Sequence, residues 1–241
     1  MTTLSYEYPS GHSVVEHFHE EDQLVHAVSG VMTVRSPGGT WVVPPQRAIW
    51  VPSRQPHAID IAGVVLMKTV YLAPGLVRGL PPTCCVVNVT PLLRELIVRA
   101  CDTASLDSTG QVHLVGLLVD ELRAAPAVPL QLPNPRDPRA LRIARMLLDD
   151  PGDDRPLDEL CRAVGASKRT IERVFRAETK LTYGKWRQQL SLLHAMRRLA
   201  AGAKVSTAAV DAGYSSASAF VSMFRRALGT TPGEYFREGA P

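Results

Sequence analysis

The last third of the chain nearly repeats itself, and that repetition limits its fold more than any other feature. Gly165-Ala166-Ser167, then Lys168 to Phe175, then Thr182-Tyr183-Gly184-Lys185-Trp186 form one copy. Gly213-Tyr214-Ser215, then Ser216 to Phe224, then Thr231-Pro232-Gly233-Glu234-Tyr235 form the other. The offset is 48 residues at the glycines and 49 at the threonines. Each copy reads as a short helix, a glycine-bearing turn, a serine cap and a second helix, which is the order of a helix-turn-helix. Two such units on one polypeptide can enter successive major grooves of a duplex without a second chain.

The second helix of each unit decides what is read. With Ser167 as cap, Ile171, Val174 and Phe175 take the core face, leaving Lys168, Arg169, Glu172, Arg173 and Arg176 outward. An arginine holds guanine bidentately and a carboxylate accepts from the cytosine amino group, so Arg169, Glu172 and Arg173 are the base-contact candidates. Lys168, Arg176 and Lys180 are expected on phosphates, which position a domain without specifying sequence. In the second unit Phe220, Met223 and Phe224 are expected inward. Ser216, Ala217, Ser218, Ala219 and Ser222 point outward, and all are small. They suit close approach and weak discrimination, with Arg225 and Arg226 anchoring phosphates.

Charge follows the same division. The net charge is +4, but residues 1–135 hold 8 Lys and Arg against 11 Asp and Glu, or −3, while residues 136–241 hold 19 against 12, or +7. A basic balance confined to the repeated segment is a phosphate-binding footprint. No run of eighteen apolar residues occurs, the N-terminus lacks the pattern of a signal peptide, and Cys84, Cys85, Cys101 and Cys161 have no framework spacing. These features point to a cytoplasmic protein with reduced thiols and no membrane partner.

Five prolines between Pro126 and Pro138 mark a linker over 126–138. Before it, residues 12–72 alternate short apolar runs with turn signals, the pattern of an antiparallel barrel or sandwich. Leu92, Leu93, Leu96, Ile97 and Ala100 fall at helical spacing, as do Val112, Val115, Leu118, Val119 and Leu122. That stripe is expected to be core, with an intersubunit seam as the alternative. After the linker, helices are expected over 139–148, 157–164, 168 onward, 183–201, 205–212, 216–228 and 232–237, set by Pro138, Pro156, Ser167, Gly202 and Pro232.

The run Val210-Asp211-Ala212-Gly213-Tyr214-Ser215-Ser216-Ala217-Ser218-Ala219-Phe220, followed by Phe224-Arg225-Arg226-Ala227-Leu228-Gly229-Thr230-Thr231-Pro232 and Tyr235, closely resembles the C-terminal signature of AraC-type transcriptional regulators. The match covers roughly residues 138–237. It implies two helix-turn-helix subdomains joined by a long helix, and control of transcription. The first unit departs from the second by carrying Tyr183 where Pro232 stands.

The N-terminal half holds a second pattern. Gly11, His17, His19, Gln23 and Gly30 are followed by Pro52-Ser53-Arg54-Gln55-Pro56-His57. On a strand His17 and His19 would point the same way, and a barrel would bring Gln23 and His57 to them. Three imidazoles and one oxygen suit a divalent transition metal, with Zn, Fe, Ni and Mn all candidates. The spacing resembles the cupin fold, with Gln23 in place of a metal-binding acid and Arg54 in place of a glycine. A neutral amide binds metal more weakly than a carboxylate. Such sensors also take organic effectors without metal, and Trp41 and Trp50 are candidate pocket walls. Glu16, Glu20, Glu21 and Asp22 read as a solvated run, while His12, His26, His113 and His194 match no motif.

The expected architecture is therefore α+β in two domains. A cupin-like antiparallel β-barrel with trailing helices (1–125) precedes the linker and an all-α domain of two helix-turn-helix units (139–241). The expected function is a non-enzymatic, one-component regulator of double-stranded DNA. A small molecule or metal would modulate it, a homodimer is its expected state, and RNA polymerase is a further candidate partner. The rivals are a metal-dependent cupin oxygenase or isomerase fused to a DNA-binding domain, and a non-specific architectural DNA protein.

Overall fold

In a computed structural model, the described residues are 1–102, 107–125, 127–128, 131–214, 216–228 and 230–237. They form two compact units, Met1–Gln131 and Leu132–Glu238.

The first unit opens with strands β1 (Thr2–Tyr8), β2 (Ser13–His17), β3 (Asp22–Ala27), β4 (Val31–Ser36) and β5 (Gly39–Val43). It continues with β6 (Arg47–Val51), β7 (His57–Ala62), β8 (Val65–Leu72) and β9 (Cys85–Asn88). Helices α1 (Pro91–Cys101) and α2 (Ser108–Ala124) and strand β10 (Ala127–Val128) follow. One antiparallel sheet runs β1-β8-β3-β6-β9-β10, and a second contains β5-β4-β7-β2 in that order. In β7, His57, Ile59 and Ile61 are buried while Ala58, Asp60 and Ala62 are half-buried, the two-residue period of a sheet with one face inward. The turn from β3 to β4 needs Gly30. Its φ is +73°, and a Cβ there would lie 2.4 Å from the Val64 carbonyl oxygen.

The helical stripe proves to be core. Leu93, Leu96, Ile97 and Ala100 of α1 and Leu114, Leu118, Val119 and Leu122 of α2 pack with Leu24, Trp50, Val70, Leu72 and Val87. Two expected members fall outside it, since Leu92 is 48% and Val112 is 69% exposed. Leu114 takes part instead, because the stripe centres on Leu118 and Val112 lies at its margin. Trp50 belongs to this core, and Trp41 is 2% exposed.

The boundary between the units falls within the stretch expected to be linker, but that stretch is shorter than expected at both ends. Ala127 and Val128 pair with Val87 and Val86, which is compatible with flanking prolines because neither paired residue is one. At the other end Asp137 caps α3 (Pro138–Asp149), its Oδ1 accepting the Arg139 N–H at 2.9 Å. Pro126, Pro129 and Leu130 lie outside the described residues.

The second unit continues with α4 (Leu157–Ala163), α5 (Lys168–Thr179), α6 (Tyr183–Ala200), α7 (Val205–Asp211), α8 (Ala217–Leu228) and α9 (Pro232–Arg237). The expected boundaries fall within a residue or so of their places, and capping side chains set several of them. Ser167, Thr182 and Ser216 each accept a backbone N–H of the helix they precede. The Tyr183 and Pro232 difference is accommodated because both stand at the first position of a helix, where no backbone hydrogen bond is required. Ser215 and Gly229 of the signature run lie outside the described residues.

Candidate functional sites

In the second unit the two copies are built alike. Gly165 (φ +66°) and Gly213 (φ +77°) turn the chain between α4 and α5 and between α7 and α8. Beneath α5, Phe175 packs edge-on to Trp186 at 5.3 Å. Beneath α8, Phe224 packs edge-on to Tyr235 at 5.5 Å. The repeat thus extends into the core, and α6 packs against both α7 and α9 to join the copies.

Their outward faces differ. Lys168, Arg169, Glu172, Arg173 and Arg176 are all exposed on α5. Arg169, Glu172, Arg173 and Arg176 line one surface cleft with Thr182, Tyr183 and Gly184 at the start of α6. Lys168 reaches back to Asp158 of α4 at 3.4 Å. Lys180 ends α5 in the left-handed conformation (φ +62°) and donates to the Ala177 carbonyl at 2.9 Å. On α8, Ser218, Ala219, Ser222, Arg225 and Arg226 are exposed and Ala217 is half-buried. Ser216 is exposed, but its hydroxyl oxygen accepts the Ala219 N–H at 3.1 Å. It caps the helix first, so one of its two lone pairs is already taken. Met223 is half-buried rather than inward, at the edge of the face formed by Phe220 and Phe224.

In the first unit the three expected histidines converge. His17 ends β2 directly across from His57 on β7, and the register shifts between Val14 and His17. His19 is not on the strand; it lies in the turn beyond it. The shared-face argument for His17 and His19 therefore fails, yet the turn folds their rings to 4.8 Å. The His17 and His57 rings lie 4.4 Å apart and those of His19 and His57 5.6 Å. One ligand atom from each of the three lies within 4.8 Å of the others.

Hydrogen bonding fixes the tautomers of two of the three rings. His17 Nδ1 donates to the Val15 carbonyl at 2.7 Å and His57 Nδ1 to the Gln55 carbonyl at 3.0 Å. A carbonyl can only accept, so Nδ1 carries the hydrogen and Nε2 keeps its lone pair. The Nε2 atoms of His19 and His57 are buried and have no hydrogen-bond partner among the described residues. Burial lowers the pKa of His19, and the neighbouring His17 adds to it. Burial likewise lowers His57 to about 4. The buried, orphaned nitrogens of His19 and His57 fit a metal ion, and a carbonyl-held Nδ1–H, as in His17 and His57, is the usual partner of a metal-binding histidine.

Gln23 is 2% exposed. Its Nε2 donates to Tyr71 Oη at 3.3 Å, and its Oε1 is buried without a partner among the described residues. The Tyr71 ring stands edge-on to His19 at 5.0 Å. Tyr71 was not a sequence candidate; only its register opposite Gln23 on β8 could have revealed it. Asp22 is no member of a solvated run. It is 7% exposed and accepts the N–H of Ser53 at 2.9 Å and of Gly75 at 3.0 Å. Arg54 has φ +60°, the backbone region that favours glycine.

Comparison with known proteins bears on both units. A model described as an AraC-like ligand binding domain matches residues 2–118, and a helix-turn-helix domain model matches residues 160–238. The HTH-type transcriptional regulator NimR of Escherichia coli (strain K12) is 32% identical over 221 residues, which is 91% of this chain and 81% of NimR. The chain belongs to the AraC-type transcriptional regulators. This regulator is also 33% identical over 104 residues, or 43% of its length and 31% of the relative's, to the HTH-type transcriptional regulator RipA of Corynebacterium glutamicum. Among solved structures it is similar to ToxT from Vibrio cholerae, at 10% identity over 98% of this chain and 97% of that one, with a TM-score of 0.42. It is similar too to the DNA-binding domain of AdpA, solved in complex with a target DNA, at 26% identity over 42% of this chain and 91% of that one, with a TM-score of 0.39. The regulator thus joins a DNA-binding helix-turn-helix half to a ligand-binding half. No described helix is long and apolar enough to cross a membrane.

Proposed function

We propose that this regulator reads DNA sequence mainly through its first helix-turn-helix and holds the neighbouring groove through its second. The observation that carries this is the cleft on α5, where Arg169, Glu172, Arg173 and Arg176 lie together, against the small residues exposed on α8. Arg169, Glu172 and Arg173 contact bases. Arg176, Lys168 and Lys180 contact phosphates, with Lys168 exchanging Asp158 for the duplex. Ser216, Ala217, Ser218 and Ser222 let α8 approach closely, while Arg225 and Arg226 bind phosphates. Replacing Arg173 with Ala should cost about 1–3 kcal/mol on the preferred operator and relax preference at one base pair. Equal loss on every sequence would instead assign Arg173 to a phosphate.

The ligand-binding half senses through the three-histidine cluster. His17, His19 and His57 hold one divalent ion (Zn, Fe, Ni or Mn), with Gln23 as the fourth donor through its unpartnered Oε1. The ion would supply a fixed positive charge to which an effector can bind. Backbone carbonyls set the tautomers of His17 and His57, and the fold shields Nε2 of His19 and His57 from water. Metal analysis of protein purified without an affinity tag should find one ion per chain, lost in His17→Ala; a metal-free wild type would refute this part. The half is taken to sense rather than to catalyse, in a cytoplasmic homodimer that acts with RNA polymerase. The apolar residues left outward on α1 and α2, Leu92, Val112 and Leu117, are its proposed subunit contacts.

A further inference from the structure

We infer that Arg54 is a positioning residue of the three-histidine site, tying the turn that carries His19 to the turn that leads into His57. The inference rests on the metal-binding reading of that cluster.

Two of the three imidazoles are locked by their own Nδ1–H bonds to backbone carbonyls. His19 has ring contacts with His17, His57 and Tyr71, but among the described residues no hydrogen bond fixes its ring. Lying beyond the end of β2, it has no strand pairing either. Its place is set by its backbone, and Arg54 holds that backbone: the Arg54 N–H donates to the His19 carbonyl at 2.7 Å. The side chain returns to the same turn. Arg54 Nε and Nη2 each lie 2.8 Å from Glu20 Oε2.

The neighbours of Arg54 make the connection continuous. Ser53 donates its N–H to Asp22 at 2.9 Å. Gln55 gives its carbonyl to His57 Nδ1 at 3.0 Å. One short turn therefore grips the His19 turn at two points, the start of β3 at a third and the His57 ring at a fourth. Arg54 adopts a left-handed backbone, which a glycine would adopt more readily. A glycine would supply the same N–H but could not reach Glu20. The arginine thus adds a tether where a glycine gives only the bend.

Cobalt(II) binding by the full chain tests this, read by the visible absorbance of the bound ion and by its dissociation constant. Arg54→Ala and Glu20→Ala should each weaken binding about tenfold, the usual effect of removing an outer support of a metal ligand. Arg54→Lys should restore most of the affinity. Arg54→Gly should weaken binding without lowering the melting temperature, a combination that a purely structural role does not produce. Wild-type affinity in Arg54→Ala and Glu20→Ala, with binding lost in His17→Ala, would overturn the tether and leave the metal reading standing. Loss in Arg54→Ala that Glu20→Ala does not share would also overturn it. A wild type that gives no cobalt spectrum removes the metal reading and the tether together.

Discussion

Buried histidines give this regulator a definite response to acid. His26 is fully buried, its Nδ1 on the Arg47 carbonyl at 3.1 Å, and burial lowers its pKa to about 4. His57 is lowered to about 4 by the same cause. In the unfolded chain both take up protons near pH 6.5. Between pH 6.5 and about 4 the unfolded state therefore binds more protons than the folded one, and stability falls as pH falls through that window. The melting temperature should be steady above pH 6.5 and decline progressively below it. A flat profile from pH 7 to 4 would contradict the burial of these rings. Arg54 gives a second expectation. A non-glycine residue in the left-handed region costs about 1–2 kcal/mol, and an exposed ion pair returns at most about 1 kcal/mol. Arg54→Gly should hold or raise the denaturation midpoint, and a marked fall would show that the pair outweighs the backbone.

Elements were legible in the sequence wherever a cap or a breaker wrote their ends. Ser167 marked the start of α5 through a single side-chain bond, whereas Thr182 and Ser216, which cap α6 and α8 in the same way, were not legible as caps. Ser167→Ala should therefore cost about 1 kcal/mol in the second unit, measurable as a shift in urea midpoint with unchanged slope; no shift would mean the cap is redundant. The strands were less legible. β1 carries mostly exposed, polar side chains, and β9 is only four residues long, so neither shows a clear apolar period. The three histidines were found by their spacing. Their supports were not, because Tyr71, Asp22 and Arg54 act through register and backbone hydrogen bonds that join residues far apart in the chain. Asp22 shows the limit well: beside Glu20 and Glu21 it looks solvated, and only the fold reveals two N–H groups aimed at its carboxylate.

At the scale of the molecule, a repeat visible in the sequence became two units with matching turns, caps and aromatic cores but unequal faces. The core of each copy holds an aromatic pair, Phe175 with Trp186 and Phe224 with Tyr235, so the two copies share one packing scheme. Exposed positions contribute little to stability, so the two faces can differ without disturbing the shared packing. The division of labour has a direct test. Selection of preferred duplexes from a random pool should give a site whose base preference is concentrated in the part under α5. That preference should weaken in Arg169→Ala and Arg173→Ala, and persist at lower affinity in Arg225→Ala and Arg226→Ala. Preference spread evenly over two grooves, or unchanged when Arg169 and Arg173 are removed, would contradict it.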